Sequence, residues 1–512
     1  MLMDDDTATS LSIPLPRLLP GEVFQKVEDI PIHMPTEPPS SFRELLRLAQ
    51  AKAKEEVGEF GPPVAALALE RPGQTISKEL RKYEVLFGRD SLRVGIDLLP
   101  LFPKLLRTTI IALAELQGIV HHKGREEEPG RIIHEYRKPG DIIAAELTRE
   151  RGWEWPYYAS VDATPQFVRA LYLYSRKTPE GEAIFEQTYR GLDGQIHNLG
   201  EAFRRAIDWI LYRMSLNEEG LIEYKTTLPK GIENQVWRDS WDCYFHEDGT
   251  LANRKQGVAS VEVQQLAYDA LLEAAEVYEE LFDEPKKAAR LRTRASQLRE
   301  QIIRLFWVDE KGGYFALGTD RDGDGNLRQL KIRTSNMGHL LRSRLLEGEK
   351  YRHYREALVW QLFSPEMLNI SGIRTLATDE VRFRPGAYHN GSVWLWDTYY
   401  CAEGLRYHGY YGLAANLADR IHMVINVTQK FPEYVRGDDD PHPNINPRTV
   451  DVWDETAGRV NRIEQPPQEV QAWTVAADMA RDYYSGRLPA KAVDVRAARL
   501  EKAVFAMLDG ED

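Results

Sequence analysis

From Phe42 onward, apolar residues recur at spacings of three and four, the period of a helix with one face turned to a core. Leu199, Ala202, Phe203, Ala206, Ile207, Ile210, Leu211 and Met214 form one such face. Leu266, Ala267, Ala270, Leu271, Ala274, Val277, Tyr278 and Leu281 form a second. Similar stretches near 104–118, 164–177, 287–306, 393–429 and 471–484 bring the expected total to roughly ten to twelve helices. Strand signals are few, the clearest being a hairpin of Tyr314–Leu317 and Leu327–Ile332 across a turn rich in Asp and Gly. Strands do not alternate with helices, so a parallel sheet is not expected. Many helices joined by long loops predict an all-α body of helical hairpins set in a ring. Residues 1–40 hold seven prolines without steady periodicity and read as an extended arm. Residues 41–490 then form the body, and 491–512 a C-terminal helix or tail.

Composition narrows the partners. The chain has 512 residues, 43% hydrophobic and 28% charged, ordinary globular material. Its net charge of -13, from 79 acidic and 66 basic residues, gives no basic excess to release counterions from a nucleic acid. Two cysteines, Cys243 and Cys401, are too few for a disulfide-stapled scaffold. Met1 to Asp6 is acidic where a signal peptide is basic, and no run approaches the roughly 18 apolar residues of a membrane span. A cytoplasmic protein without nucleic-acid or membrane partners is expected, with the oligomeric state open.

The chemistry gathers in the connections, where Trp, Tyr, Arg, Asp and Glu concentrate. They run Phe87 to Ser91, Arg125 to Gly130, Tyr157 to Ala163, Asn234 to Asp242, Tyr388 to Asp397 and Phe431 to Tyr434. Aromatic rings stack on pyranose faces, and acids with Arg hydrogen-bond sugar hydroxyls, so a small carbohydrate fits this composition. Glycoside cleavage needs a carboxylic acid to protonate the leaving oxygen and a carboxylate to activate water or attack carbon. Asp239 and Asp242 flank Trp241, and Glu433 lies between Pro432 and Tyr434, settings that desolvate an acid. From local sequence alone the same residues also read as loop acids or helix caps.

These segments resemble the six-hairpin (α/α)6 glycosidases, in particular the catalytic domain of bacterial amylo-α-1,6-glucosidase (glycogen-debranching-type) proteins, from about Phe87 to about Tyr484. Matching segments are FGRDS at Phe87, REEEPG at Arg125, YYASVDATP at Tyr157, NQVWRDSWD at Asn234, YHNGSVWLWD at Tyr388 and QAW at Gln471. The resemblance implies an (α/α)6 toroid that removes a terminal α-linked glucosyl residue with inversion and without a cofactor. It implies Asp242 as general acid and Glu433 as general base, facing each other across the mouth of the ring. Arg89 and Asp90 match the pair that holds hydroxyls of the terminal sugar. Arg125, Asp162, Trp237, Asp239, Trp241, His389, Asn390, Trp394, Trp396 and Tyr434 fall at positions implied to surround the sugar. Leu395 departs from the family's proline. Fewer than 90 residues precede Phe87, leaving no place for the β-rich N-terminal domain of debranching-type members, so small glycosides rather than polymer are expected.

Asp320, Asp322 and Asp324 imitate the first half of a calcium loop, but Lys331 stands where the closing acid belongs, which favours a polar turn. His121 and His122 with Glu126 to Glu128 lack zinc spacing, so no catalytic metal is expected. Cys243 reads as packing, and Glu262 as support for the barrel interior or as a buttress for the Asp242 loop. A phosphorylase or epimerase on the same toroid, or a non-catalytic sugar-binding protein, is the alternative.

Overall fold

The computed structural model describes residues 40–49, 61–68, 80–179, 181–440, 443, 449–454, 457–464, 467–485 and 494–510. The chain runs through α1 (Ser41–Leu48), α2 (Gly88–Asp97), α3 (Pro103–Glu115), α4 (Ile142–Arg151), α5 (Ala163–Lys177), α6 (Leu199–Met214) and α7 (Val261–Glu280). It continues through α8 (Pro285–Phe306), α9 (Asn336–His339), α10 (Arg352–Leu362), α11 (Leu395–Tyr407), α12 (Tyr411–Thr428), α13 (Ala472–Tyr484) and α14 (Val495–Leu508). Helix α2 packs on α5, α5 on α7, α7 on α9, α9 on α11 and α11 on α13, and α13 returns to α2. That circuit is a closed inner ring of six. Outside it α3, α6, α8, α10 and α12 each pack on the inner helix that precedes them, and α1 takes the same place against α13. The fold is an (α/α)6 toroid whose sixth hairpin is built from the two ends of the described body.

Burial follows from this layering. An outer helix buries one stripe, as α8 does through Ala288, Leu291, Ala295, Leu298, Ile302, Leu305 and Phe306. An inner helix has neighbours on every side, and each residue of α2 is buried. Local sequence sets the ends: Asn198 and Glu201 form a capping box opening α6, and Gly152 closes α4 in the left-handed conformation. Leu395 is the first residue of α11, a position that also suits proline, so the departure from the family leaves the helix start unchanged.

Short strands stitch together the loops that lead into the inner helices. Leu86–Phe87 pairs with Glu135–Tyr136, and bridges join Glu135 to Tyr157, Arg374 to Val393, Val393 to Val435 and Phe431 to Val470. All of these lie at one mouth, where the inner helices begin.

The expected hairpin forms with different partners. Gly318–Arg321 pairs with Leu327–Leu330, whereas Tyr314–Phe315 pairs back to Trp307–Val308. The reason is a tighter turn, in which the Asp322 carboxylate accepts from the backbone N–H of Asp324 and Asn326 and from Asn326 Nδ2. Asp320 points elsewhere, accepting from Arg328 at 3.1 and 2.7 Å and from the Asn253 N–H at 2.8 Å, with His246 at 3.1 Å. The acids of the calcium-like segment therefore serve the turn and an ion pair, and no group of three metal-ligating side chains occurs among the described residues. The stretch 393–429 divides into α11 and α12 at Gly409, whose φ of +89° favours glycine. Residues 1–39 of the expected arm lie outside the described residues, and α14 falls in the expected C-terminal segment.

Gly88 explains one letter of the FGRDS segment, because a Cβ there would lie 2.1 Å from the backbone oxygen of Ile133. Gly88→Ala must push α2 off the Glu135 loop and is expected to cost about 1–3 kcal/mol, the usual scale of overpacking. Urea denaturation reads it directly, and an unchanged midpoint would mean that the loop yields freely.

Candidate active site

The mouth with the inner-helix N-termini gathers unpaired N–H groups and about half a positive charge per helix, which favours acids in first turns. Asp90 lies in the first turn of α2, Asp162 caps α5, Glu262 opens α7 and Asp397 opens α11.

Arg89 sits at the centre of that charge. Its Nη1 donates to Asp162 Oδ2 at 3.1 Å, its Nε lies 3.7 Å from Asp90 Oδ2, and its Nη2 lies 3.8 Å from Asp239 Oδ2. Ser160 Oγ donates to Asp162 at 2.5 Å and fixes its orientation. One guanidinium thus faces three carboxylates, and the excess negative charge appears as retained protons. Burial pushes the Asp90 carboxyl up to about 6, with Asp162 and Glu433 adding and Arg89 opposing. Asp239 is pushed up to about 7, again by burial first, with Asp90 and Glu433 adding. Nearly a third of the Asp239 side chain still meets solvent, at 31% exposure, so water screens part of that shift.

The loop carrying Asp239 and Asp242 is locked from beneath. Arg238 is fully buried and donates to the carbonyls of Thr375 and His389, the latter at 2.7 Å. Asn234 Nδ2 donates to Ser240 O at 2.7 Å, and the Cys243 thiol donates to the carbonyls of Arg238 and Ser240 at 3.1 and 3.0 Å. Burial pushes that thiol up to about 12, so Cys243 is a structural clamp rather than a nucleophile. Asn390 Nδ2 donates to the Asp242 carbonyl at 3.2 Å, joining this loop to the Tyr388 loop. The Asp242 carboxylate, 5% exposed, accepts from Arg384 Nη2 at 2.7 Å.

Glu433 reaches the same charge cluster on a segment fixed by the Val393–Val435 bridge and by its own N–H on Gln468 O at 2.9 Å. Tyr388 OH donates to Glu433 Oε1, and the Gln468 N–H approaches Oε2 at 3.4 Å. The Glu433 charge is felt by Asp90, Asp239, Tyr83 and Tyr388. Asp242 lies on the loop before α7 and Glu433 on the segment before α13, the third and sixth inner helices, which stand opposite each other in the ring.

The aromatic residues divide by role. Trp394 is 1% exposed, stacked on Tyr434 and His389, and its indole N–H is taken by Tyr388 O at 2.9 Å. Trp394 and Tyr434 are thus supports beneath the Tyr388 loop. Trp237, Trp396 and Trp473 line a small axial cavity with Arg89, Asp162 and Glu262. The indole N–H groups of Trp396 and Trp473 make no hydrogen bond there. Burial drives His389 well below the usual imidazole range, so it is neutral, with Nδ1 set 3.0 Å from Ser240 Oγ. Glu262 accepts from Asn336 Nδ2 at 2.8 Å and from Ser260 Oγ, contacts within the interior of the ring. Trp241 stands half-exposed on the rim beside Asp242. Arg125 meets Glu127 at 2.5 Å, away from the Arg89 cluster. Sequence reasoning missed Arg384, Tyr388 as a partner of Glu433, and Tyr83, which precedes FGRDS by four residues. Only Tyr388 lay inside a recognised segment.

The retained proton on Asp239 has a testable sign. An unfolded aspartate ionises near 3.9, so the folded chain holds extra protons between about pH 4 and 7 and loses stability as pH rises through that window. Asp239→Asn removes the buried charge and is expected to raise the melting temperature at pH 8, with the gain much reduced at pH 5 and vanishing only near pH 4. Thermal denaturation at the two pH values checks it; an equal gain at both would remove ionisation as the cause.

The family model for the mannosylglycerate hydrolase MGH1-like glycoside hydrolase domain matches residues 173–443. No curated protein matches the chain. Among solved structures, the chain is similar to a GH63 mannosylglycerate hydrolase from Thermus thermophilus in complex with Tris and D-glycerate. That pair has 13% identity and a TM-score of 0.54, with 86% of this chain and 98% of the other covered. The same enzyme in complex with glucose gives 14%, 0.52, 86% and 98%. An uncharacterized conserved protein from Thermus thermophilus gives 14%, 0.51, 87% and 99%. At such identities the structural likeness speaks for the toroid alone. The family model spans more than half of the sequence, and the chain belongs to the mannosylglycerate hydrolase MGH1-like glycoside hydrolase family.

Proposed function

We propose that the chain hydrolyses the bond between a terminal α-linked glucosyl, or closely similar hexosyl, residue and a small aglycone, with inversion at the anomeric carbon. What supports this reading is that Glu433 acts electrostatically on Asp90 and Asp239 of the Arg89 cluster, while Asp242 stands three residues beyond Asp239 on the same clamped loop. Asp242 is the general acid and gives its proton to the leaving glycosidic oxygen. Glu433, held by the neutral donors Tyr388 and Gln468, is the general base and takes a proton from the attacking water. The water oxygen bonds to the anomeric carbon on the face opposite the departing group, so an α-glycoside yields a β-sugar. Arg89, Asp90 and Asp239 hold hydroxyls of the terminal sugar. A phosphorylase would need phosphate donors where Glu433 stands, and an epimerase would need no paired carboxylates.

Asp242→Asn and Glu433→Gln are each expected to lower turnover by roughly two to four orders of magnitude, with folding intact. Proton NMR in the first minutes of reaction, before mutarotation, should show the β-anomer from an α-linked substrate. An initial α-anomer would make Glu433 a nucleophile, and retention of more than a tenth of the activity by either variant would remove that residue from its role.

Arg384 favours one class of aglycone. A general acid must carry its proton when the leaving oxygen arrives, yet Arg384 holds one Asp242 oxygen at 2.7 Å. The guanidinium is 32% exposed and has room to turn. An aglycone carboxylate draws it away and frees the acid, which fits a small acidic aglycone such as the glycerate bound in the similar solved enzyme. An α-glucosyl or α-mannosyl glycerate is expected to exceed the corresponding glycerol glycoside in kcat/KM, and Arg384→Gln to erase the difference. Equal values for the two glycosides in the unaltered protein would rule out an acidic preference while leaving the acid and base assignments standing.

A further inference from the structure

The opposite mouth of the toroid has a different character. There the C-terminal ends of α2, α5, α11 and α13, with the turn Leu340–Arg342, surround a cavity of about 250 Å³. Its wall carries five cations, Arg169, Lys177, Arg342, Arg344 and Arg406, against two carboxylates, Asp97 and Glu403. A helix C-terminus presents about half a negative charge, so cations in last turns have a resting partner without any ligand. That accounts for their presence but not for how they are paired.

Arg406 is fully committed, donating to both Glu403 oxygens at 2.9 Å. Arg169 and Arg344 turn to carboxylates behind the wall, Asp269 at 2.9 Å and Glu276 at 2.6 Å. Arg169 also lies 3.3 Å from Glu273, whose carboxyl burial pushes up to about 8, so that neighbour is protonated at neutral pH. Asp97 serves two guanidinium groups, accepting from Arg93 Nε at 2.7 Å while Arg342 Nη1 lies 3.2 Å away, out of line for a hydrogen bond. Lys177 has no carboxylate within ion-pair range among the described residues; its charged neighbours are Arg342, Arg169 and Arg406, with Glu273 beyond. The Tyr399 hydroxyl, on a residue 2% exposed, sits among Glu403, Asp97 and Arg342 and makes no hydrogen bond.

Three donors without acceptors, Lys177 Nζ, Arg342 Nη1 and Tyr399 OH, thus belong to one positively charged cavity. A neutral sugar supplies no charge to offset the surplus, and a cation adds to it. An oxyanion is the ligand class that both accepts from donors of this kind and offsets the charge of Lys177 and Arg342. We propose that this distal cavity is a binding site for a phosphate-type oxyanion, either free phosphate or the phosphate group of a small phosphomonoester. The cavity is separate from the candidate active site, since the eight residue steps of α2 from Arg89 to Asp97 set the two about 12 Å apart along the axis.

Calorimetric titration of the full chain with inorganic phosphate and with glucose 6-phosphate, at constant ionic strength set by chloride, tests it. Saturable phosphate binding is expected, with a higher melting temperature than in matched chloride. Lys177→Gln, on an exposed side chain, and Tyr399→Phe are each expected to weaken it about tenfold, the usual worth of one hydrogen bond to a charged group. Neither variant should change turnover in phosphate-free buffer. Tenfold tighter binding of glucose 6-phosphate assigns the site to a phosphomonoester, and equal binding assigns it to free phosphate. Absence of saturable binding, affinity unmoved by both variants, or displacement of phosphate by glucose at the other mouth would each overturn the proposal, leaving an adventitious ion only.

Discussion

Closing six helices into a ring brings their N-termini to one mouth, and the unsatisfied N–H groups and dipoles there dictate what charge that mouth can hold. Acids collect in the first turns because the helices favour them, but burial penalises every one that is ionised. Arg89 is the counterweight. By holding Asp162 directly and standing within 4 Å of Asp90 and Asp239, it keeps the cluster compact without neutralising it fully. Burial, with the neighbouring carboxylates adding, pushes Asp90 up to about 6 and Asp239 up to about 7, which is how a closed scaffold keeps carboxyl groups poised near neutral pH. The Asp242 loop, the Tyr388 loop and the Glu433 segment border this cluster, and each is fixed by buried contacts of its own.

The loops of the candidate site have almost no regular structure, yet many of their backbone groups are satisfied by buried side chains. Arg238 spans from its own loop to the carbonyls of Thr375 and His389, and Arg374, also fully buried, ties Gly437 to the carbonyl of Leu368. Buried guanidinium groups used in this way replace a sheet as the organiser of irregular backbone. Loss of either would strand several carbonyls at once.

What could be read in the sequence follows from how each element is buried. Outer helices show a one-sided stripe, so α6 and α8 stand out by period alone. Helix α2 is buried on every face and carries Arg89, Asp90 and Arg93 inward, which erases the period that marks an amphipathic helix. It is legible through its motif instead. Short α9 left no signal. At the candidate site, the segments containing Arg89, Asp162, Asp242 and His389 were found as blocks, but block membership does not separate a platform from a prop. Trp394 and Tyr434 look like sugar-stacking residues and are buried supports. Arg384 escaped because a single arginine in a polar loop has no local mark; its meaning lies in a contact with a residue 142 positions away.

The sixth hairpin joins α1 to α13, and Ala66–Leu67 pairs with Val470–Gln471. During synthesis, the first helix of the body therefore waits for a partner made more than four hundred residues later. Until α13 emerges, the ring is an open arc whose inner helices expose apolar flanks, and Glu433 has no Gln468 carbonyl on which to rest. Non-local closure of this kind is slow to form and vulnerable while incomplete. Truncated or nascent chains would carry nearly all of the segments that border the mouth and still have no closed mouth, so completion of the circle sets the moment at which the site first exists.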